Sequence, residues 1–201
     1  SCLVIRDGNI APIIIGLTFQ NGIGTNLIEI DACAVPIQRP DRSGGGILIY
    51  KAYPTIMYNR FVDNGHPGEN GDVVNYGGAI SHFADDDVEF DEDRNIIDQN
   101  INQTRDRPIS MNIQNNYFEN NGSGDGECFY SNGFLGSIDL SNSIFDNMDC
   151  STNTVNEFVL KSKTRDADYI QEGITGNCIE QNTYYVNAEN GSDSNPGTEE
   201  E

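Results

Sequence analysis

The chain has 201 residues, 36% of them hydrophobic, and carries 32 acidic against 11 basic side chains, a formal charge of −21. That length suits one domain with an ample core, and a field of that sign argues against phosphate-backbone binding and favours cations as partners. No apolar run approaches the ~18 residues a membrane helix needs, since the longest, Ile10-Ala11-Pro12-Ile13-Ile14-Ile15, holds a proline.

The chain opens with a strand at Cys2-Leu3-Val4-Ile5, a turn at Asp7-Gly8-Asn9 and a strand at Ile13-Ile14-Ile15. Next comes Leu17-Thr18-Phe19-Gln20-Asn21-Gly22, the loosest copy of a motif that returns at Asn59-Arg60-Phe61-Val62-Asp63-Asn64, Asn116-Tyr117-Phe118-Glu119-Asn120-Asn121 and Asn142-Ser143-Ile144-Phe145-Asp146-Asn147. The shared pattern is Asn-x-apolar-x-x-Asn, with the apolar residues 42, 57 and 26 apart. The shortest interval lies within the period of coil-stacking repeats, and the longer ones leave room for excursions. Alternation along a strand sends one apolar side chain inward, and Asn tolerates the left-handed backbone of a sharp corner. Stacked tiers about 4.8 Å apart then predict an interior column of Phe19, Phe61, Phe118 and Ile144, with Asn64, Asn121 and Asn147 as a corner ladder.

Between these motifs, Leu27-Ile28-Glu29-Ile30 reads as a strand, and 31–43 as an irregular loop with Pro36 and Pro40. Gly44-Gly45-Gly46-Ile47 and Gly77-Gly78-Ala79-Ile80 are paired clusters, with Gly126-Glu127-Cys128-Phe129 a degenerate third copy. Residues 65–76 form a second excursion, rich in turn formers. His66 within it reads as exposed, and His82 has no evident catalytic partner. The largest excursion, 84–107, begins with an alternating acidic run. If extended, Asp85, Asp87, Glu89, Asp91 and Asp93 share one face, and calcium is the natural bridge for such carboxylates. A merely solvated acidic face is the plainer alternative. Further on, 108–150 returns to the repeat rhythm, and Val155–Lys163 and Ile174–Ile179 read as last strands.

The order Gly16-Leu17-Thr18-Phe19-Gln20-Asn21-Gly22, Gly44-Gly45-Gly46-Ile47, Pro54-Thr55-Ile56 running into Asn59-x-Phe61-x-x-Asn64, then Gly77-Gly78-Ala79-Ile80, resembles the right-handed parallel β-helix repeat proteins with the pectin-lyase-like fold. The resemblance implies an all-β fold, a right-handed parallel β-helix or solenoid with long acidic loop insertions at about 31–43, 65–76 and 84–107, in a secreted or cell-surface protein. Roughly four to ten coils fit the length. Tyr184-Tyr185-Val186-Asn187-Ala188-Glu189-Asn190-Gly191-Ser192-Asp193 is similar to the segment that opens such domains. Residues 1–182 are therefore expected to form the β-helix, and 183–201 the start of a following module, a linker or a tail. The chain lacks an initiating Met and a signal peptide and reads as a processed or excised piece of something longer. Arg39-Pro40-Asp41-Arg42 resembles the Arg/Pro element of pectate lyases, but without that family's spacing and aspartates.

Coil stacking bears on the cysteines. Cys128 and Cys150 are 22 apart, close to one coil, which makes them the first choice for a disulfide. Cys2 and Cys33 are the second choice, Cys178 is left over, and a ladder of buried thiols is the alternative. Sequons at Asn102, Asn121 and Asn190 permit N-glycosylation, with coincidence the plainer reading in so Asn-rich a chain.

No catalytic residue is assigned. The expected role is a structural or adhesive surface module whose partners are other copies or modules of the same protein, joined end to end or in tandem. The alternative is a β-helix that binds or degrades polysaccharide. Calcium is the one cofactor expected, and neither nucleic acid nor membrane insertion is.

Overall fold

A computed structural model describes residues 1–6, 11–30, 36–66, 74–84, 110–134, 136–149, 152, 154–155, 159–163 and 167–179, with only the backbone of 27–30, 36–41, 163 and 178–179. These residues are all strand, turn and loop, and most strand pairs are parallel. The chain begins with β1 (Leu3–Arg6), β2 (Ile13–Ile15) and β3 (Thr18–Gln20), then makes an antiparallel hairpin of β4 (Thr25–Ile30) and β5 (Pro36–Ser43). Next come β6 (Ile47–Tyr50), β7 (Thr55–Met57), β8 (Arg60–Val62) and the short β9 (Val74–Tyr76). They are followed by β10 (Ile80–Phe83), β11 (Ser110–Asn112) and β12 (Tyr117–Glu119), then by β13 (Phe129–Asn132), β14 (Ser137–Asp139) and β15 (Ile144–Asp149). The last elements are β16 (Thr154–Val155), β17 (Leu160–Lys163), β18 (Asp168–Ile170) and β19 (Thr175–Ile179).

The pairing turns this list into rows. A first row runs β1-β6-β10-β13-β17, and another runs β3-β8-β12-β15, with β19 parallel and β16 antiparallel to β15. Between them in sequence lie β2-β7 and β11-β14-β18. The chain therefore visits first, middle and third rows in the same order five times. Within each row residues pair in register: Leu3, Ile47, Ile80, Phe129 and Leu160 share one column. Phe19, Phe61, Phe118 and Phe145 share another.

Corners between rows are set by backbone that ordinary residues avoid. Gly44, Gly77 and Gly126, each entering a first-row strand, have φ of 62°, 62° and 66°. A side chain there would strain a left-handed turn and meet the carbonyl of Ile47, Ile80 or Phe129 within 2.4 Å. This column confirms the three glycine clusters as equivalent positions.

The core lies between the rows. Ile47, Ile49, Ile56, Phe61, Ile80, Ile113, Phe118, Phe129, Ile138, Leu140 and Phe145 are fully buried. One sequence expectation changes here: 36–43 is a strand. Pro40 falls where its register against β4 shifts, between the Asn26–Arg42 and Ile28–Gln38 pairs, and such an irregularity tolerates a missing N–H donor. The inner strands of the first row, β6, β10 and β13, are buried on both faces, whereas Val4 of β1 is 41% exposed. Leu48, Ser81 and Tyr130 point away from the core column yet are 2%, 0% and 1% exposed, with the Tyr130 ring 4.7 Å from Tyr76 and 5.8 Å from Phe83.

Candidate functional site

The interior column is a stack of rings. Phe19–Phe61, Phe61–Phe118 and Phe118–Phe145 have centroids 5.1, 5.1 and 4.8 Å apart and planes within 13° of parallel. Burying each ring contributes about 1.5–3 kcal/mol, and each aromatic pair about 0.5–1.5 more. Ile144 is not its fourth member: it pairs with Tyr117 and is 42% exposed, and Phe145 takes the place. The third motif is offset by one residue, because Ser143 rather than Asn142 accepts from the Asn116 backbone N–H.

Two asparagine ladders flank the stack. In the expected one, the Gly22 N–H donates to Asn64 Oδ1 (3.0 Å), and the Asn64 backbone N–H and Nδ2 both donate to Asn121 Oδ1 (3.2 and 3.0 Å). Asn64 Nδ2 also reaches the Phe19 carbonyl and Asn121 Nδ2 the Phe61 carbonyl, both at 2.9 Å. Asn147 does not join; its amide donates to Glu127 Oε2 at 3.4 Å, and, counting on from Phe145, the ladder position falls to buried Met148. The second ladder is formed by the opening residue of each motif. Asn59 Oδ1 accepts from the Leu17 N–H, Asn116 Oδ1 from the Asn59 N–H, and Ser143 Oγ from the Asn116 N–H. The Asn59 amide donates to the Ile14 and Met57 carbonyls, and the Asn116 amide to those of Ile56 and Ile113. The recurrence of that opening Asn was the available signal.

Titratable groups collect at the outer corner beyond the third row. Gln20 and Asn120 both donate to Asp63, the Asn120 N–H donates to Asp146, and His66 Nε2 lies 2.6 Å from the Asn120 carbonyl. Burial pushes the Glu127 carboxyl up from its usual range, opposed by the Asn147 amide. On the neighbouring face, Arg60 sits 4.9 Å over the Tyr117 ring and 3.7 Å from Glu119. No group of three or more His, Cys, Asp or Glu suited to a metal occurs among the described residues. The acidic run Asp85, Asp87, Glu89, Asp91 and Asp93 lies outside them.

The His82 imidazole is fully buried. Its Nδ1 lies 3.3 Å from Ser131 Oγ, and Tyr53 and Phe134 meet it edge-on at 5.6 and 5.4 Å. Burial lowers its pKa to about 4, only partly offset by the nearby Ala52 backbone. The imidazole is thus neutral near pH 7 and walled off from solvent.

Exposed apolar side chains gather at one end. Ile13, Ile15, Leu17 and Tyr58 are 69%, 51%, 50% and 61% exposed, and Tyr58 holds a left-handed φ of 57°. Further along the middle row the outward positions turn polar, at Ser110, Ser137 and Asp139. Among the described residues β1, β2 and β3 pair on one side only, as do β17 and β18 at the other end.

Cys2 and Cys128 are free thiols, the first exposed and the second buried. The register puts Ala79 and Val159 on the tiers next to Cys128, so the expected cysteine stacking is not found there. Cys33 and Cys150 lie outside the described residues, as do Asn102, Asn190 and all of 183–201. Asn121 is 8% exposed with its amide engaged, which leaves no room for a glycan. No family model matches the chain, and no curated protein or solved structure does either.

Proposed function

We propose that the five passes are coils of a right-handed parallel β-helix, and that the chain is a stiff structural or adhesive module of an extracellular, surface or fibre-forming protein. The observation that carries this reading is the fixed return order of the rows, with in-register columns in each. Parallel strands joined by crossovers are right-handed in about 98% of cases, which supplies the hand. A coil of this kind transmits load along its axis through backbone ladders, and its end strands offer unpaired backbone groups to a neighbour.

Other copies or modules of the same protein are the proposed partners. Sedimentation velocity over a range of concentrations, with electron microscopy of the concentrated sample, tests the role: elongated particles that lengthen with concentration support it. Compact monomers at every concentration count against it.

Calcium is proposed as the bridge for the Asp85–Asp93 run. It should raise the melting temperature relative to EDTA, and an unchanged transition contradicts it.

A second reading, polysaccharide binding, draws on the exposed Tyr58 beside Leu17 and Ile15, because an aromatic face next to aliphatic surface suits a sugar ring. Tyr58→Ala abolishing retention on polysaccharide resins would favour it.

A further inference from the structure

The expected ladder has a chemical liability built into it. Its members precede glycine, as Asn64-Gly65 and Asn121-Gly122, and an Asn–Gly bond is the backbone most prone to lose its side-chain amide. In that reaction the glycine nitrogen attacks the asparagine Cγ, a new C–N bond closes a five-membered imide, and the side-chain nitrogen departs as ammonia with the proton the glycine nitrogen gave up. Water then opens the imide to aspartate or isoaspartate.

The structure blocks each requirement of that attack. Gly65 N–H is held by the Gly22 carbonyl at 2.7 Å and Gly122 N–H by the Asn64 carbonyl at 2.9 Å, so neither nucleophile is free. The Asn64 side chain is fully buried and engaged at both ends: Oδ1 accepts from the Gly22 N–H, and Nδ2 donates to the Phe19 carbonyl and Asn121 Oδ1.

We propose that Asn64 is a latent deamidation site, silent while the ladder is closed, whose conversion during a transient opening permanently unfastens the first pass from the second. The product explains the permanence. A carboxylate at position 64 has no hydrogen to give, so its oxygens would face the Phe19 carbonyl and Asn121 Oδ1 inside a buried corner. Isoaspartate adds a methylene to the backbone and moves the corner as well. Asn121 is the same device one tier further in. It is reached later, because the ladder must open past Asn64 first.

Peptide mapping by mass spectrometry tests this on the full chain incubated at mildly alkaline pH, with and without urea. In urea the peptides carrying Asn64 and Asn121 should convert together. Without it both should stay amide at least tenfold longer, with Asn64 converting before Asn121. Phe19→Ala, which removes a ring beneath the ladder without touching either Asn–Gly bond, should speed Asn64 selectively. Equal rates with and without urea would overturn the proposal, as would conversion of Asn121 ahead of Asn64. The product is tested by converting wild-type chain in urea and diluting it: molecules converted at 64 should fail to regain protection of residues 1–22 from proteolysis, whereas unconverted molecules regain it. Recovery by both would also overturn it.

Discussion

A single buried amide here serves several backbone groups at once, and this sets the scale of what one substitution does. Asn59→Ala leaves the Leu17 N–H and the Ile14 and Met57 carbonyls without their partner. Each such loss costs about 1–3 kcal/mol, so urea unfolding should show a deficit of about 3 kcal/mol or more. A deficit under about 1 kcal/mol would mean these bonds do not form. His82 makes the residue-scale prediction for pH. Its folded pKa, about 4, lies below the ordinary 6.5, so its contribution is fully present above pH 6.5 and drains away as pH falls toward 4. Between pH 7 and 4.5 that amounts to about 2.5 kcal/mol. Stability curves should therefore fall more steeply for the wild type than for His82→Leu, and parallel curves would contradict the buried imidazole. The repeated asparagines were legible in the sequence because they recur in a fixed frame. His82 was not, because Ser131, Tyr53 and Phe134 reach it from other passes.

Among elements, the informative one is β15. Asn-x-apolar-x-x-Asn matches at Asn142, but the strand pairs one residue later, with Phe145 in the stack and Ile144 outside. Pattern alone could not choose, since both registers put an apolar residue inward; filling a ring-shaped slot below Phe118 decides for Phe. Phe118→Ala should cost about 3–5 kcal/mol, whereas Ile144→Ala should stay within about 1 kcal/mol. Thermal melts of the two variants separate the registers, and comparable losses would restore Ile144 to the interior. The cover over the first row was not legible for a related reason: the alternation rule says that Leu48, Ser81 and Tyr130 point outward, not whether something covers them. The hairpin strand β5 was hidden by its prolines, which a bulged register accommodates.

For the molecule as a whole, the sequence conveyed the all-β class and the parallel stacking, because glycine and asparagine recur at many of the corners where the chain changes row. It conveyed far less about which surfaces meet a partner, since charge on excursions reports solvation before it reports binding. Of the inward residues of the first pass, Ile5, Ile14 and Phe19 are only 6–8% exposed, while Leu3 is partly buried. A neighbour docking at that end would therefore gain backbone pairing and cover for the exposed Ile13, Ile15 and Leu17 rather than much fresh core. Residues far apart in the chain lie side by side in register throughout the rows. Thr18 and Arg60 are such a pair, exposed and directly opposite across β3 and β8. Adjacent strands bring Cα atoms to about 4.8 Å, within disulfide reach. Oxidising a Thr18→Cys, Arg60→Cys chain in a Cys2→Ser background, then mapping its peptides, should yield the intrachain 18–60 disulfide in nearly every molecule; its absence under conditions that oxidise other exposed thiols would contradict the stacked register.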